Sequence, residues 1–201
     1  MNCIITGDIK GSRKAKTVNW LEGLKKIFLQ LGKTPSDWEI YRGDEFQLEV
    51  QNCEVALLTA FQIKAYLRSI KLDARMSIGF GEKTFKAKKI SESNGSAFVH
   101  SGLGFENLKK QKINLSVNSS NPVFDKEMNL ILKLGLSFMD NWLAQPAEFV
   151  LITIQNPTLS QEEIGLKLGI NQAAVSRRRK RANFDLVLEI NNAFVEKLKM
   201  L

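Results

Sequence analysis

Apolar and polar residues change their spacing block by block along the chain, and each block predicts one element. Asn2 to Thr6 is a short apolar run ending at Gly7-Asp8, the pattern of a buried strand. From Thr17 the apolar positions Trp20, Leu21, Leu24, Ile27, Phe28 and Leu31 recur at helical spacing, which predicts an amphipathic helix ended by Gly32. Trp38 to Tyr41 and Phe46 to Val50 alternate around Arg42-Gly43-Asp44-Glu45, which predicts a hairpin with the Gly-Asp in its turn. Val55 to Ile70 reads as a second amphipathic helix. Ala74 to Gly81 reads as a strand with Met76, Ile78 and Phe80 on one face. A helix over Phe98 to Leu108 and a strand over Ile113 to Val117 follow. The order is β-α-β-β-α-β-α-β, and its first six elements match the ferredoxin-like split βαβ topology. In that arrangement the hairpin and the first strand share one antiparallel sheet, with both helices on one face.

From Asp125 the pattern becomes wholly helical. Met128, Ile131, Leu132, Leu136 and Met139 form one stripe, Pro146 restarts a helix through Phe149, Val150 and Ile154, and Asn156-Pro157 breaks it. Ser, Asn and Pro cluster between Asn118 and Pro122, which places a boundary there. The expected fold class is therefore α+β: a ferredoxin-like domain over residues 1–118, then an all-α domain over residues 122–201.

The most specific pattern lies within that second part. Ser160-Gln161-Glu162-Glu163 has the form of a capping box. A short helix with Ile164 and Leu168 follows, Gly169 supplies a tight turn, Ile170 plugs the angle, and Asn171 can cap the next helix. Small residues, Gly165 and Ala174, stand where two helices would cross closely. This is a helix-turn-helix. Its second helix carries Gln172, Ala173, Ser176 and Arg177 toward its start, suited to base edges, with Arg179, Lys180 and Arg181 farther on for phosphates. Arg178 departs from the apolar residue common at its position, so its stem or Phe184 is expected to pack there. The segment Leu159 to Ala182 resembles the fourth-region helix-turn-helix of sigma factors, which implies double-stranded DNA as partner. Val187, Ile190, Phe194, Leu198 and Leu201 form an apolar seam on the last helix. It packs on neighbouring helices or joins two copies in a homodimer suited to two half-sites.

Charge agrees with that partner. Among 201 residues Lys plus Arg is 29 and Asp plus Glu is 21, a formal charge of +8, which favours an acidic ligand. A single His, His100, and two Cys leave no zinc ribbon, His-rich metal centre or thioredoxin-type motif. Cys3 and Cys53, in apolar segments far apart, read as reduced buried thiols of a cytoplasmic protein. The start of the chain lacks a basic signal-type region. The longest apolar stretch, Leu130 to Ala144, is broken by Lys133 and Asp140, so no membrane span is expected.

A second candidate site comes from paired Gly-Asp motifs. An Asp at the end of the first strand and one in the next hairpin, Asp8 and Asp44, can approach closely in a split βαβ sheet. Two carboxylates so placed suit Mg²⁺ or Mn²⁺, which accept oxygen ligands and keep waters or phosphates as the remainder. Gly7-Asp8-Ile9-Lys10-Gly11-Ser12 resembles the first-strand motif of class III nucleotide cyclases. Arg42-Gly43-Asp44-Glu45-Phe46 is similar to their hairpin metal motif and to the diguanylate cyclase signature. Ala74 to Glu82 and Gly95 to Val99 resemble two further cyclase segments. The resemblance implies metal binding by Asp8, the Ile9 carbonyl and Asp44, with Lys10, Ser12 and Arg13 near the phosphates of a nucleotide effector. More specifically, the run of GDIxGSR, GDEFQ and RxxIGxG resembles the poorly characterised SatD-like family of small bacterial proteins.

The departures shape the functional expectation. Where cyclases carry an Asn and an Arg four apart that stabilise the transition state, this chain has Val99 and Leu103, and the base-selecting Lys falls near Ile40. Neither Val nor Leu can stabilise charge developing on phosphate. Cyclase turnover is therefore not expected. The sequence reads as a DNA-binding transcription regulator with a non-catalytic cyclase-like domain that senses or assembles. The alternative is a metal-dependent nucleotide-binding or phosphoryl-transfer enzyme with an accessory helix-turn-helix.

Overall fold

The computed structural model describes residues 1–12 and 17–201. The expected phosphate contact of Arg13 lies outside the described residues. The chain is α+β, with a five-stranded mixed sheet and eight α-helices among the described residues. The strands are β1 (Asn2–Lys10), β2 (Trp38–Tyr41), β3 (Glu45–Val50), β4 (Asp73–Gly81) and β5 (Leu115–Asn118), in the order β2-β3-β1-β4-β5. The first four are antiparallel neighbours, with Asp8 opposite both Glu45 and Arg75. The hairpin and the first strand share one antiparallel arrangement as expected, and β5 lies parallel to β4, which makes the whole sheet mixed. The reason is the connection: a helix between β4 and β5 crosses over the sheet and returns the chain in the same direction.

Strand alternation divides the sheet into two faces. Cys3, Ile5 and Ile9 of β1 and Ala74, Met76, Ile78 and Phe80 of β4 are buried on one face. There α1 (Thr17–Leu29) and α2 (Ala56–Ser69) pack. The other face is covered by α3 (Ser96–Gln111). Gly79 makes that contact possible, because a Cβ there would stand 2.3 Å from the Ala97 carbonyl oxygen and the Ser101 amide. Thr6 and Ser101 share a buried hydroxyl hydrogen bond of 3.0 Å across the same interface.

The helical part comprises α4 (Pro122–Met139), α5 (Ala144–Gln155), α6 (Gln161–Leu168), α7 (Gln172–Ala182) and α8 (Phe184–Leu198). Asn121 caps α4, accepting from the Val123 and Phe124 amides. The helix after it begins at Ala144, two residues before the expected Pro146. One hydrophobic core runs through the whole arrangement. Phe61, Met76 and Phe80 belong to the same buried cluster as Phe124, Trp142, Phe149 and Phe194. Lys64 of α2, wholly buried, donates to Asp73 at 2.8 Å and to Asp140 after α4 at 2.5 Å. Asn114 also donates to Asp140 (2.9 Å), and Arg68 donates to the Trp142 carbonyl.

The seam expected on α8 is largely consumed inside the chain. Val187, Phe194 and Leu198 are buried, and Phe194 packs on Phe80 and Phe124. Cys3 and Cys53 are buried and unbridged. A hydrogen bond from the Cys3 thiol draws Cys53 down to about 7, while burial pushes Cys3 up.

Candidate functional site

The helix-turn-helix is built from local signals. The Ser160 hydroxyl accepts from the Glu163 amide, and the Glu163 carboxylate takes the Ser160 amide at 2.8 Å, closing the capping box. The Ser160 amide and hydroxyl hold the Glu163 carboxyl below its usual range. Gly169 ends α6 in the left-handed region at φ 64°, a conformation glycine adopts without steric cost. Asn171 caps α7 by accepting from the Ala174 amide at 2.9 Å. At the crossing, a Cβ on Gly165 would lie 2.7 Å from the Ile170 carbonyl oxygen, so only glycine lets the turn close on α6. Val175 and Ala182 are buried against the remainder of the core, and α7 rests on α5.

That packing leaves the opposite face of α7 open. Asn171, Gln172, Ala173, Ser176, Arg177, Lys180 and Arg181 are all exposed. From Gln172 to Lys180 they recur at the spacing of one helical face. Two arginines are committed elsewhere. Arg178 turns sideways onto α5 and pairs with Glu148 at 2.8 Å, its side chain largely buried. Phe184 packs edge-on against Phe149 behind it. Arg179, expected to hold phosphate, instead donates to Asp185 from Nε at 3.0 Å and lies over the Phe184 ring. Asp185 is the residue the sequence pattern did not mark, because its pairing crosses the joint between α7 and α8.

The second candidate site lies at the end of β1. The hairpin turns through Arg42 (φ 50°) and Gly43 (φ 89°), and the Asp44 carbonyl accepts from the Ile9 amide at 3.0 Å. A residue's N–H and C=O point to the same edge of a strand, so the Ile9 carbonyl also faces the hairpin. Ser12 donates to Asp44 Oδ2 at 2.6 Å, and Lys10 donates to Asn114 at 2.9 Å. Both are thus engaged within the chain and not left open for phosphate. Among the described residues Asp8 Oδ1 is buried with no hydrogen-bond partner, and the Arg75 Nε stands 3.6 Å from it. Burial pushes the Asp8 carboxyl above its usual range, with Asp44 and Glu45 pushing the same way against Arg75 and Lys109.

The donors are all hard oxygens, and one of them is buried without a hydrogen bond among the described residues, which fits a divalent cation held with waters or phosphate. Asp8 and Asp44 would hold it. Among the described residues no third carboxylate, thiol or imidazole joins them as a metal cage. His100 is bound at Nδ1 to the Phe80 carbonyl at 2.6 Å. Val99 and Leu103 stand exposed on the outer face of α3. A polar groove of about 650 Å³ is lined by Thr6, Tyr41, Arg42, Glu45, Gln47 and Lys109, of which Glu45 and Lys109 also act electrostatically on Asp8. Strand pairing alone points from Asp8 to Arg75, whereas nothing local in the sequence marks Lys109. Compared with known proteins, the chain matches no protein-family model and no curated protein.

Proposed function

We propose that this chain is a DNA-binding transcription regulator that reads the major groove with α7. The observation that carries the reading is the division of that helix. One face is buried on the core, and the other offers Gln172, Ser176, Arg177, Lys180 and Arg181 to solvent behind a tightly turned partner helix. A base-reading helix needs this rigid backing and this open polar edge. The net charge of +8 supplies the sequence-independent attraction to phosphate. The sheet order β2-β3-β1-β4, with α1 and α2 on one face, supports a ferredoxin-like reading of residues 1–118. The motif resemblance carries the SatD-like assignment. In this reading the sheet domain senses or assembles, and it does not cyclise nucleotides.

Fluorescence anisotropy on specific and random duplexes across a salt series tests the reading. Lys180→Ala or Arg181→Ala weakens binding to all sequences alike and flattens the slope of log K against log salt by about one unit. Gln172→Ala or Arg177→Ala costs roughly 1–3 kcal/mol on the preferred site and little on random DNA. Absence of binding at low salt, or identical losses from the two kinds of variant, rejects α7 as a reader. A second reading is favoured by one observation, the Asp8 oxygen buried without a hydrogen bond among the described residues, with the groove lined by Glu45 and Lys109. In it the carboxylate pair binds Mg²⁺ with a nucleotide. Calorimetry with Mg²⁺ and ATP or GTP on the wild type and on Asp8→Ala/Asp44→Ala decides it, since equal heats in both would remove the site.

A further inference from the structure

The strongest unassigned surface is the outer side of the α4–α8 pair. The two helices run antiparallel: Glu127 at the start of α4 pairs with Lys197 at the end of α8, at 2.5 Å. They pack closely at Gly135, where a Cβ would stand 2.7 Å from Ile190 Cδ1. Beside that contact lies a groove of about 480 Å³ whose lining includes Ile131, Gly135, Phe138 and Ile190. Leu134 and Leu186 line it, Leu130 lies one helical turn before Leu134, and all three stand exposed among the described residues. Leu130 is 60 % exposed, Leu134 66 % and Leu186 46 %.

We infer that this face binds a second copy of the chain about a two-fold axis, with α4 and α8 of each copy completing a four-helix bundle. Two features select a second copy as the occupant. The patch carries its own bump and its own dent, Leu134 beside the glycine floor, as an isologous interface requires. Its charges are also self-complementary. On α4 the outward stripe is Leu130, Lys133, Leu134 and Ser137. On α8 it is Leu186, Glu189, Ile190 and Ala193. Lys133 and Glu189 each follow the first leucine of their stripe by three residues. Among the described residues neither has an ion-pair partner inside the chain. Laying α4 of one copy along α8 of the other sets Lys133 against the partner's Glu189, and symmetry makes the pair twice. Packing of this kind, with apolar stripes facing inward at helical spacing, is how four-helix bundles are held. The interface rests on the DNA-reading proposal only in that a two-fold partner supplies a second reading helix.

Sedimentation equilibrium of the full chain tests it. The wild type sediments at twice the chain mass. Leu134→Glu, placed on an exposed position, sediments at the chain mass with an unchanged circular dichroism spectrum. Lys133→Glu weakens the dimer, and the double variant Lys133→Glu/Glu189→Lys restores it. A wild type that stays monomeric at the highest soluble concentration overturns the inference. So does a dimer indifferent to Leu134→Glu, or one that the double variant does not restore. The two proposals fail separately. A dimer that binds no DNA keeps this interface and loses the reader, whereas a monomer that binds DNA does the reverse.

Discussion

Asp8 shows how a single residue can be placed against its own stability. Among the described residues its Oδ1 is buried without a hydrogen bond, and the Arg75 Nε at 3.6 Å only partly compensates. Burial raises its folded pKa above that of the unfolded chain. Folding therefore binds a proton more tightly, and the group weakens the fold as pH rises through that window. Asp8→Asn is expected to raise the melting temperature at neutral pH. The gain should shrink as the buffer is acidified toward the ordinary carboxylate range and vanish below it, where Asp8 is protonated in both states. Thermal melts of both proteins across that range check this, and a pH-independent difference would remove the electrostatic explanation. Native proteins keep such unfavourable groups at sites where a ligand repays the cost. The position is legible in the sequence from the Gly-Asp motif. Arg75 follows once β1 is paired with β4, but Lys109 is not legible, because it reaches the site from α3, distant along the chain.

At the scale of the element, the sequence discloses what is closed within a few residues. The capping box of Ser160 and Glu163, the left-handed Gly169 and the Asn171 cap each involve contacts of three or four positions, and each is formed. The turn geometry follows from them, which makes the helix-turn-helix legible in the order of residues alone. Ser160→Ala is expected to cost about 1 kcal/mol of stability. Urea unfolding measures it, and an unchanged midpoint would show that packing alone holds α6. The elements that cannot be read this way depend on distant partners. Nothing in Leu115 to Asn118 tells a strand to lie parallel to β4, since direction is imposed by the crossover through α3. Nothing in the α8 stripe distinguishes a core face from an interface. Phe194 finds Phe80 and Phe124 only once the sheet exists. The loss of Arg179 to Asp185 is of the same kind, a contact made across a bend between helices.

The whole molecule is joined by more than the linker near Asn118. Trp142 donates its indole N–H to the Ala182 carbonyl at the end of α7. Its own carbonyl is held by Arg68 of α2. Lys64 binds a carboxylate from each side of the expected boundary, Asp73 in β4 and Asp140 after α4. With one core running through both parts, calorimetry should show a single transition whose van't Hoff and calorimetric enthalpies agree. Lys64→Met removes the shared cation and leaves two carboxylates facing each other. It is expected to lower the stability of that single transition by roughly 3–5 kcal/mol. Two resolved transitions in the wild type would show instead that the halves fold independently.

The joint between α7 and α8 carries a consequence for target choice. Asn183 alone separates the two helices, in the left-handed conformation at φ 50°. Its amide is fixed to the last carbonyls of α7, and Arg179 and Asp185 clasp across it. A hinge so short and so tied has no slack. If α7 reads DNA as proposed and α8 anchors one copy to another, the distance between the two readers is set like the gap of a calliper. DNA turns by about 36° for each base pair, given roughly 10 base pairs per turn. Inserting a single pair between the half-sites therefore rotates one of them out of reach, and the protein cannot follow by stretching. On that proposal its DNA sites would share one spacer length while differing in the spacer's sequence.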